Sequence, residues 1–213
     1  MKIAAFSDTH GQHSILKIKE STDVAIFCGD YSRTGNLNDL IDFLSWYSKQ
    51  PAKHKLLIPG NHDLLCEEEP SLAKQLCEQV GITYIQDDSY KIDNTLIYGT
   101  PYTPFFNNWA FMGQEFELFE RFKKIPWETD ILVCHGPMRD ILDTAQDKHV
   151  GSISLRTHIE AIRPKLFLFG HIHTKGQSYL YHPRTHNTEC FNVAICNDNY
   201  EPVNDITYID YLY

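Results

Sequence analysis

No stretch of this 213-residue chain stays apolar for the roughly 20 residues that a membrane span needs. The opening run, residues 1–6, is too short for the apolar part of a secretory signal, so the expectation is a cytoplasmic protein with no membrane partner. Repeats and low-complexity tracts are missing too, which argues against arrays and disordered tails. The six cysteines, at 28, 66, 77, 134, 190 and 196, show no Cys-x-x-Cys spacing and read as reduced, mostly buried thiols. Basic residues are scarce: 19 Lys and Arg face 28 Asp and Glu, a formal charge of -9 whose field repels polyanions. With no basic stripe interleaved with aromatic platforms, long nucleic acid is not an expected partner.

What is present is ordinary globular composition, 42% hydrophobic and 22% charged, which favours a soluble enzyme. The length fits one domain, residues 1–213, able to bury roughly 70% of its unfolded surface. Apolar runs typical of buried strands recur at residues 3–6, 24–28, 55–58, 131–134 and 166–169. Between the second and third, Leu37, Leu40, Ile41, Leu44 and Tyr47 follow helical spacing behind an Asn36 cap. Further helices are predicted over 70–79 and 152–162, and short strands over 177–181, 189–194 and 206–211. Alternating strands and helices predict an α/β sandwich of two mixed β-sheets flanked by helices.

Each of the five apolar runs ends in residues that bind metals. They are Asp8-Thr9-His10-Gly11, Gly29-Asp30, Gly60-Asn61-His62-Asp63, His135-Gly136 and Gly170-His171-Ile172-His173. Carboxyl ends of strands in α/β sheets face a common crevice, so these residues can converge from across the chain. Carboxylates, imidazoles and one amide, with no thiolate, suit two divalent ions such as Mn, Fe or Zn better than Ca or Mg. Asp30 is the natural bridge, since one carboxylate offers an oxygen to each of two cations. A lone Asp-x-His or His-Gly is incidental in most proteins; five such blocks in this order are not.

The five blocks resemble those of the calcineurin-like metallophosphoesterases: D-x-H, G-D, G-N-H-D/E, G/C-H and G-H-x-H. The resemblance implies that Asp8, His10, Asp30 and His173 hold one metal, and Asp30, Asn61, His135 and His171 the other. His62 is then free to donate a proton to the leaving group, with Asp63 as the partner that orients it. Asn61, Tyr102 and Phe105 are the candidate substrate contacts.

Within that family, three segments resemble the metallophosphoesterase-domain-containing (MPPED-like) subgroup. They are Tyr98-Gly99-Thr100-Pro101-Tyr102-Thr103-Pro104-Phe105 with Trp109 and Phe111, Gly136-Pro137, and Asn199-Tyr200-Glu201-Pro202-Val203-Asn204. This implies phosphodiesterase activity on a small phosphoester such as a 3',5'- or 2',3'-cyclic nucleotide. Trp109 and Phe111 are read as core-packing rings. Protein phosphatases of the family continue Gly-Asp-Tyr with Val-Asp-Arg-Gly, where this chain has Ser32-Arg33-Thr34-Gly35, which disfavours phosphoprotein substrates. The rival readings are a phosphomonoesterase and a catalytically silent scaffold. The other histidines, at 13, 54, 149, 158, 182 and 186, lie outside the blocks, and only His149 invites attention. Tyr-rich residues 208–213 are a candidate surface for a homodimer.

Overall fold

The computed structural model describes residues 1–173, 177–181 and 187–212, so His182, His186 and Tyr213 lie outside the described residues. In chain order the strands begin with β1 (Lys2–Phe6), β2 (Val24–Cys28), β3 (His54–Ile58), β4 (Thr83–Tyr84) and β5 (Asp88–Ile92). They continue with β6 (Thr95–Thr100), β7 (Thr103–Pro104), β8 (Met112–Gly113), β9 (Ile131–Cys134) and β10 (Thr144–Ala145). The last are β11 (Lys148–His149), β12 (Leu166–Phe169), β13 (Gln177–Tyr181), β14 (Thr188–Asn192) and β15 (Thr207–Asp210). The helices are α1 (Leu37–Tyr47), α2 (Leu64–Glu68), α3 (Pro70–Gln79), α4 (Glu115–Phe122) and α5 (Ile153–Ile162). None of them is long and apolar enough to cross a membrane among the described residues.

Two sheets of mixed direction result. One runs β15-β1-β2-β3-β4, parallel except for β15; the other runs β13-β14-β12-β9-β6-β5, parallel except for its outer strands β13 and β5. The sequence dictates this layering, because β1, β2, β9 and β12 are apolar at nearly every position and so must be covered on both faces. Alternate side chains divide the work. Ile3, Ala5, Val24, Ile26, Leu56 and Ile58 of the first sheet cluster with Ile97, Ile131, Val133, Leu166 and Leu168 of the second. Their neighbours in the strands, including Phe6, Phe27, Phe167 and Phe169, turn outward to the helices.

Helix α1 starts where the sequence places it. The Asn36 side chain accepts the N–H groups of Asn38 and Asp39, and Asp39 returns a carboxylate to the Asn36 N–H. Its buried stripe is Leu40, Phe43, Leu44 and Tyr47, whereas Leu37 and Ile41 are exposed. Phe43 is the residue the spacing argument lacked; its ring lies 4.5 Å from Phe27, and such full burial contributes about 1.5–3 kcal/mol. Helix α4 was not anticipated from the sequence. Phe116 and Phe119 point outward and blur its period, while Leu118 and Phe122 carry the packing. It serves the fold through Glu115, whose carboxylate accepts the Ile153 and Ser154 N–H groups at the start of α5.

Strands β1, β2, β3, β9 and β12 all deliver their carboxyl ends to one edge of the sandwich. There the backbones meet closely: a Cβ on Gly29 would collide with the Gly60 backbone and the His135 ring, and Gly29 has φ +101°. Overpacking and a left-handed residue together predict that Gly29→Ala destabilises the fold by about 2–4 kcal/mol. Urea unfolding monitored by Trp fluorescence measures this, and a midpoint unchanged from wild type would contradict the close approach.

Candidate metal centre

The five loops at this edge bring every residue of the expected ligand set together. Asp8, just past β1, is fixed by its N–H to the Gly29 carbonyl (2.8 Å). Its carboxylate accepts the Ser7 hydroxyl and the His171 N–H (3.0 Å). Its other oxygen lies 3.2 Å from His173 Nε2. Several of these residues have positive φ: Asp8 +52°, His10 +42°, Asp30 +65° and His171 +66°. L-residues adopt that region rarely and at a cost, so the loops are held this way by their surroundings.

One set of donors comprises Asp8, His10, Asp30 and His173, whose ligand atoms all lie within 4.8 Å of one another. His10 Nδ1 donates to the Ser32 carbonyl (3.1 Å), which turns the lone pair of Nε2 toward His173 Nε2, 3.0 Å away. The second set centres on Asn61, whose Oδ1 lies 2.9 Å from His135 Nε2 and 2.8 Å from His171 Nδ1. His135 Nδ1 donates to the Cys28 carbonyl (2.8 Å), again freeing Nε2 for the site. Asp30 belongs to both sets: its Oδ2 is 3.8 Å from His10 Nε2 and 3.4 Å from His135 Nε2. Lone pairs converging from imidazoles, carboxylates and an amide, with no Lys or Arg paired to Asp8 or Asp30 among the described residues, fit two divalent cations.

The electrostatics bear the mark of that crowding. Burial alone would raise Asp8, yet the His173 hydrogen bond and the charges of His135 and His173 bring it down to about 2. Asp30 likewise overcomes burial and falls below the ordinary carboxylate range, chiefly through the charge and hydrogen bond of His135. Burial opposes protonation of His135, but Asp30 outweighs it and lifts the imidazole to about 10. Burial pushes His10 down to about 4, against the pull of Asp30 and Asp8. Burial and the neighbouring His135 push His171 down to about 3. Burial opposes protonation of His173 too, but its hydrogen bond to Asp8 raises it, so the imidazoles move in opposite directions: His135 and His173 up beside carboxylates, His10 and His171 down.

His62 stands beside these donors. Its ring is held from two sides: Nδ1 donates to the Arg33 carbonyl (2.7 Å), and the Trp109 ring lies 4.1 Å away at 36°. Its backbone N–H is given to Asp30 Oδ1 (2.8 Å), which ties it to the shared carboxylate.

Two expectations are corrected, those for Asp63 and Tyr102. Asp63 does not orient His62, because its buried carboxylate accepts the backbone N–H groups of Gly60 (2.7 Å), Asp30 (2.9 Å) and Tyr31 (3.1 Å). Burial and the Asp30 charge raise its pKa, those backbone donors pulling the other way. It is a clamp between two loops, and the Arg33 carbonyl takes the orienting role. Tyr102 is not at the site; it is buried edge-on to Phe111 under the Arg121 guanidinium, whose carbon is 3.6 Å from its ring centre. Phe105 is 54% exposed and has no ring contact with the site among the described residues, whereas its neighbour Phe106 lies 5.5 Å from His171.

Trp109, read as core packing, instead supports His62; Phe111 is fully buried as expected. Tyr200 was missed as a site residue, though its segment was singled out: its ring is 4.6 Å from His10 and 5.6 Å from His173. No spacing signal connects residue 200 to residue 10, so only the fold reveals the contact. His149 lies apart, bonded to Asp143 (2.6 Å) in a cluster with Asp140, and Arg156 already pairs with Asp140 (2.6 Å).

Comparison with known proteins agrees with the geometry. The family model described as calcineurin-like phosphoesterase matches residues 1–175. Metallophosphoesterase domain-containing protein 1 of Homo sapiens is 30% identical over 98% of this chain and 70% of its own. A Caenorhabditis elegans protein is 28% identical over 92% of this chain and 70% of its own. Among solved structures, TT1561 of Thermus thermophilus superposes with a TM-score of 0.67 at 14% identity, covering 92% of this chain and 89% of that one; it speaks for the fold alone. The chain therefore belongs to the calcineurin-like phosphoesterase family, in its metallophosphoesterase-domain-containing subgroup.

Proposed function

We propose that this protein is a phosphodiesterase that uses two divalent cations, manganese, iron or zinc, to hydrolyse small phosphodiesters such as 3',5'- or 2',3'-cyclic nucleotides. The observation that carries the reading is the placement of His62, fixed by Arg33 and Trp109, against two donor sets that share Asp30. In this reading Asp8, His10, Asp30 and His173 hold one cation, and Asp30, Asn61, His135 and His171 the other. Bound there, the cations supply Lewis acidity, lowering the pKa of a water and neutralising charge on the phosphoryl oxygens.

The side chains perform the remaining tasks. Asn61 turns Oδ1 to His135 and His171, which leaves its Nδ2 to donate to a phosphoryl oxygen. The water, having released a proton to solvent, would bond through its oxygen to phosphorus as the bond to the leaving oxygen breaks. His62 Nδ1 is committed to a carbonyl, so Nε2 gives the proton to the departing alkoxide. Trp109 prevents the ring from swinging away, and the rings of Phe106 and Tyr200 supply apolar walls for an organic substituent. All six cysteines are free and buried, which supports residence in a reducing compartment such as the cytoplasm.

Asp30→Ala is expected to lose most bound metal and nearly all turnover, because both donor sets lose a member. Metal content by atomic emission and initial rates check this, and a variant that retains two equivalents of metal would remove the bridging role. His62→Ala should keep its metal while turning over roughly 10²–10⁴-fold more slowly, with alkyl leaving groups hurt more than p-nitrophenolate. Equal losses on both esters would argue against proton donation. On metal-stripped protein restored with Mn, bis-p-nitrophenyl phosphate and cyclic nucleotides should be cleaved faster than p-nitrophenyl phosphate. Preference for the monoester would instead make the protein a phosphomonoesterase, and inactivity on all of them with metal bound would favour a binding role.

A further inference from the structure

Beside the metal centre lies an exposed cation that the mechanism above does not use. Arg33 supplies its backbone carbonyl to His62, and its side chain places the guanidinium carbon 4.9 Å from the centre of the Tyr200 ring. Among the described residues no carboxylate comes within ion-pair distance of it, although the chain as a whole is acidic. Tyr200 in turn packs against His10 and faces His62 at 6.5 Å, so guanidinium, phenol ring and metal-site imidazoles form one continuous wall.

Both halves of the wall are held in place. Tyr200 sits at φ +60° in a turn that Asn197 organises, its Oδ1 accepting the N–H groups of Asn199 (3.0 Å) and Glu201 (3.0 Å) while its carbonyl takes that of Tyr200 (2.8 Å). The preceding strand connection is tied down by the Ile195 carbonyl, which accepts the N–H groups of Val203 and Asn204 (both 3.1 Å). On the other side, Ser32 is pinned through its carbonyl to His10 and through its hydroxyl to the Gly35 N–H (2.7 Å), fixing where the Arg33 side chain leaves the loop. A guanidinium stacked on an aromatic ring keeps its N–H edge free, and that planar edge matches two oxygens of a phosphate.

We propose that Arg33, laid on Tyr200, recognises a second phosphoryl group carried on the leaving side of the substrate. The preferred esters are then those whose departing alcohol bears a further phosphate. This deepens the phosphoesterase reading and rests on it. The leaving side is assigned because the guanidinium lies on Tyr200, whose ring faces His62 at 6.5 Å, and His62 is the proton donor for the leaving oxygen in the proposed function. The inference makes Arg33 a specificity-determining residue, with Tyr200 the surface that positions it.

The test is equilibrium binding to the Mn-loaded protein of two non-hydrolysable probes, phenylphosphonate and benzene-1,4-bisphosphonate, by calorimetry at low salt. The bisphosphonate is expected to bind about fivefold tighter, beyond the statistical factor of roughly two from its identical ends, and the excess should shrink as salt rises. Arg33→Met keeps the main-chain carbonyl that holds His62, so it should reduce the ratio to the statistical factor, and Arg33→Lys should restore part of the excess. Tyr200→Leu should also lower the ratio by removing the surface under the guanidinium. If the wild-type ratio is only statistical, or if Arg33→Met leaves a larger ratio intact, the inference is overturned while phenylphosphonate binding still supports the metal site. If phenylphosphonate fails to bind and bis-p-nitrophenyl phosphate is not cleaved, both this inference and the phosphoesterase reading fall.

Discussion

The carboxylate of Asp30 is buried at the meeting point of the two sheets, between His10 and His135, with the His62 N–H on its other oxygen. An ionised carboxylate so removed from water is costly unless it is paired and hydrogen-bonded, and here both conditions are met by residues from distant loops. That requirement organises the edge of the sandwich. Asp63 clamps the Asp30 loop to the Gly60 loop through backbone N–H groups, and Gly29 and Gly60 lack side chains where the two loops touch.

The loops also hold backbone strain. Asp8, His10, Asp30 and His171 all adopt left-handed conformations, each costing roughly 1–2 kcal/mol relative to ordinary backbone. The site crowds imidazoles and carboxylates together, the Nε2 atoms of His10 and His173 lying 3.0 Å apart. A fold that stabilises such an arrangement through its surrounding sheets is pre-organised for metal, because the ligands need not be ordered when the ions arrive. The two buried apolar layers around β1, β2, β9 and β12 supply the stability against which this strain is set.

Much of this was legible in the sequence because the chemistry sits at the ends of apolar strands. Runs ending in Asp8, Asp30, Asn61, His135 and His171 announce both the sheets and the donor set, since strand ends are where a sheet can present polar groups to a crevice. The sandwich of two mixed sheets and the helices α1, α3 and α5 follow from the same periodicities. What could not be read were contacts between segments far apart in the chain. Tyr200 beside His10 and Trp109 on His62 depend on how loops fold back, and an aromatic residue in a loop carries no mark that separates packing from a site. Adjacency in sequence misled for Asp63, which turns away from His62 to serve the backbone. Helix α4 was hidden because two of its phenylalanines face outward.

The central proposal is that two divalent cations would share Asp30, one held with Asp8, His10 and His173 and the other with Asn61, His135 and His171. Anomalous scattering from crystals grown with Mn tests it most directly. The account predicts two peaks about 3.5–4 Å apart with the Asp30 carboxylate between them. A single peak, or density placed away from Asp30, would contradict it.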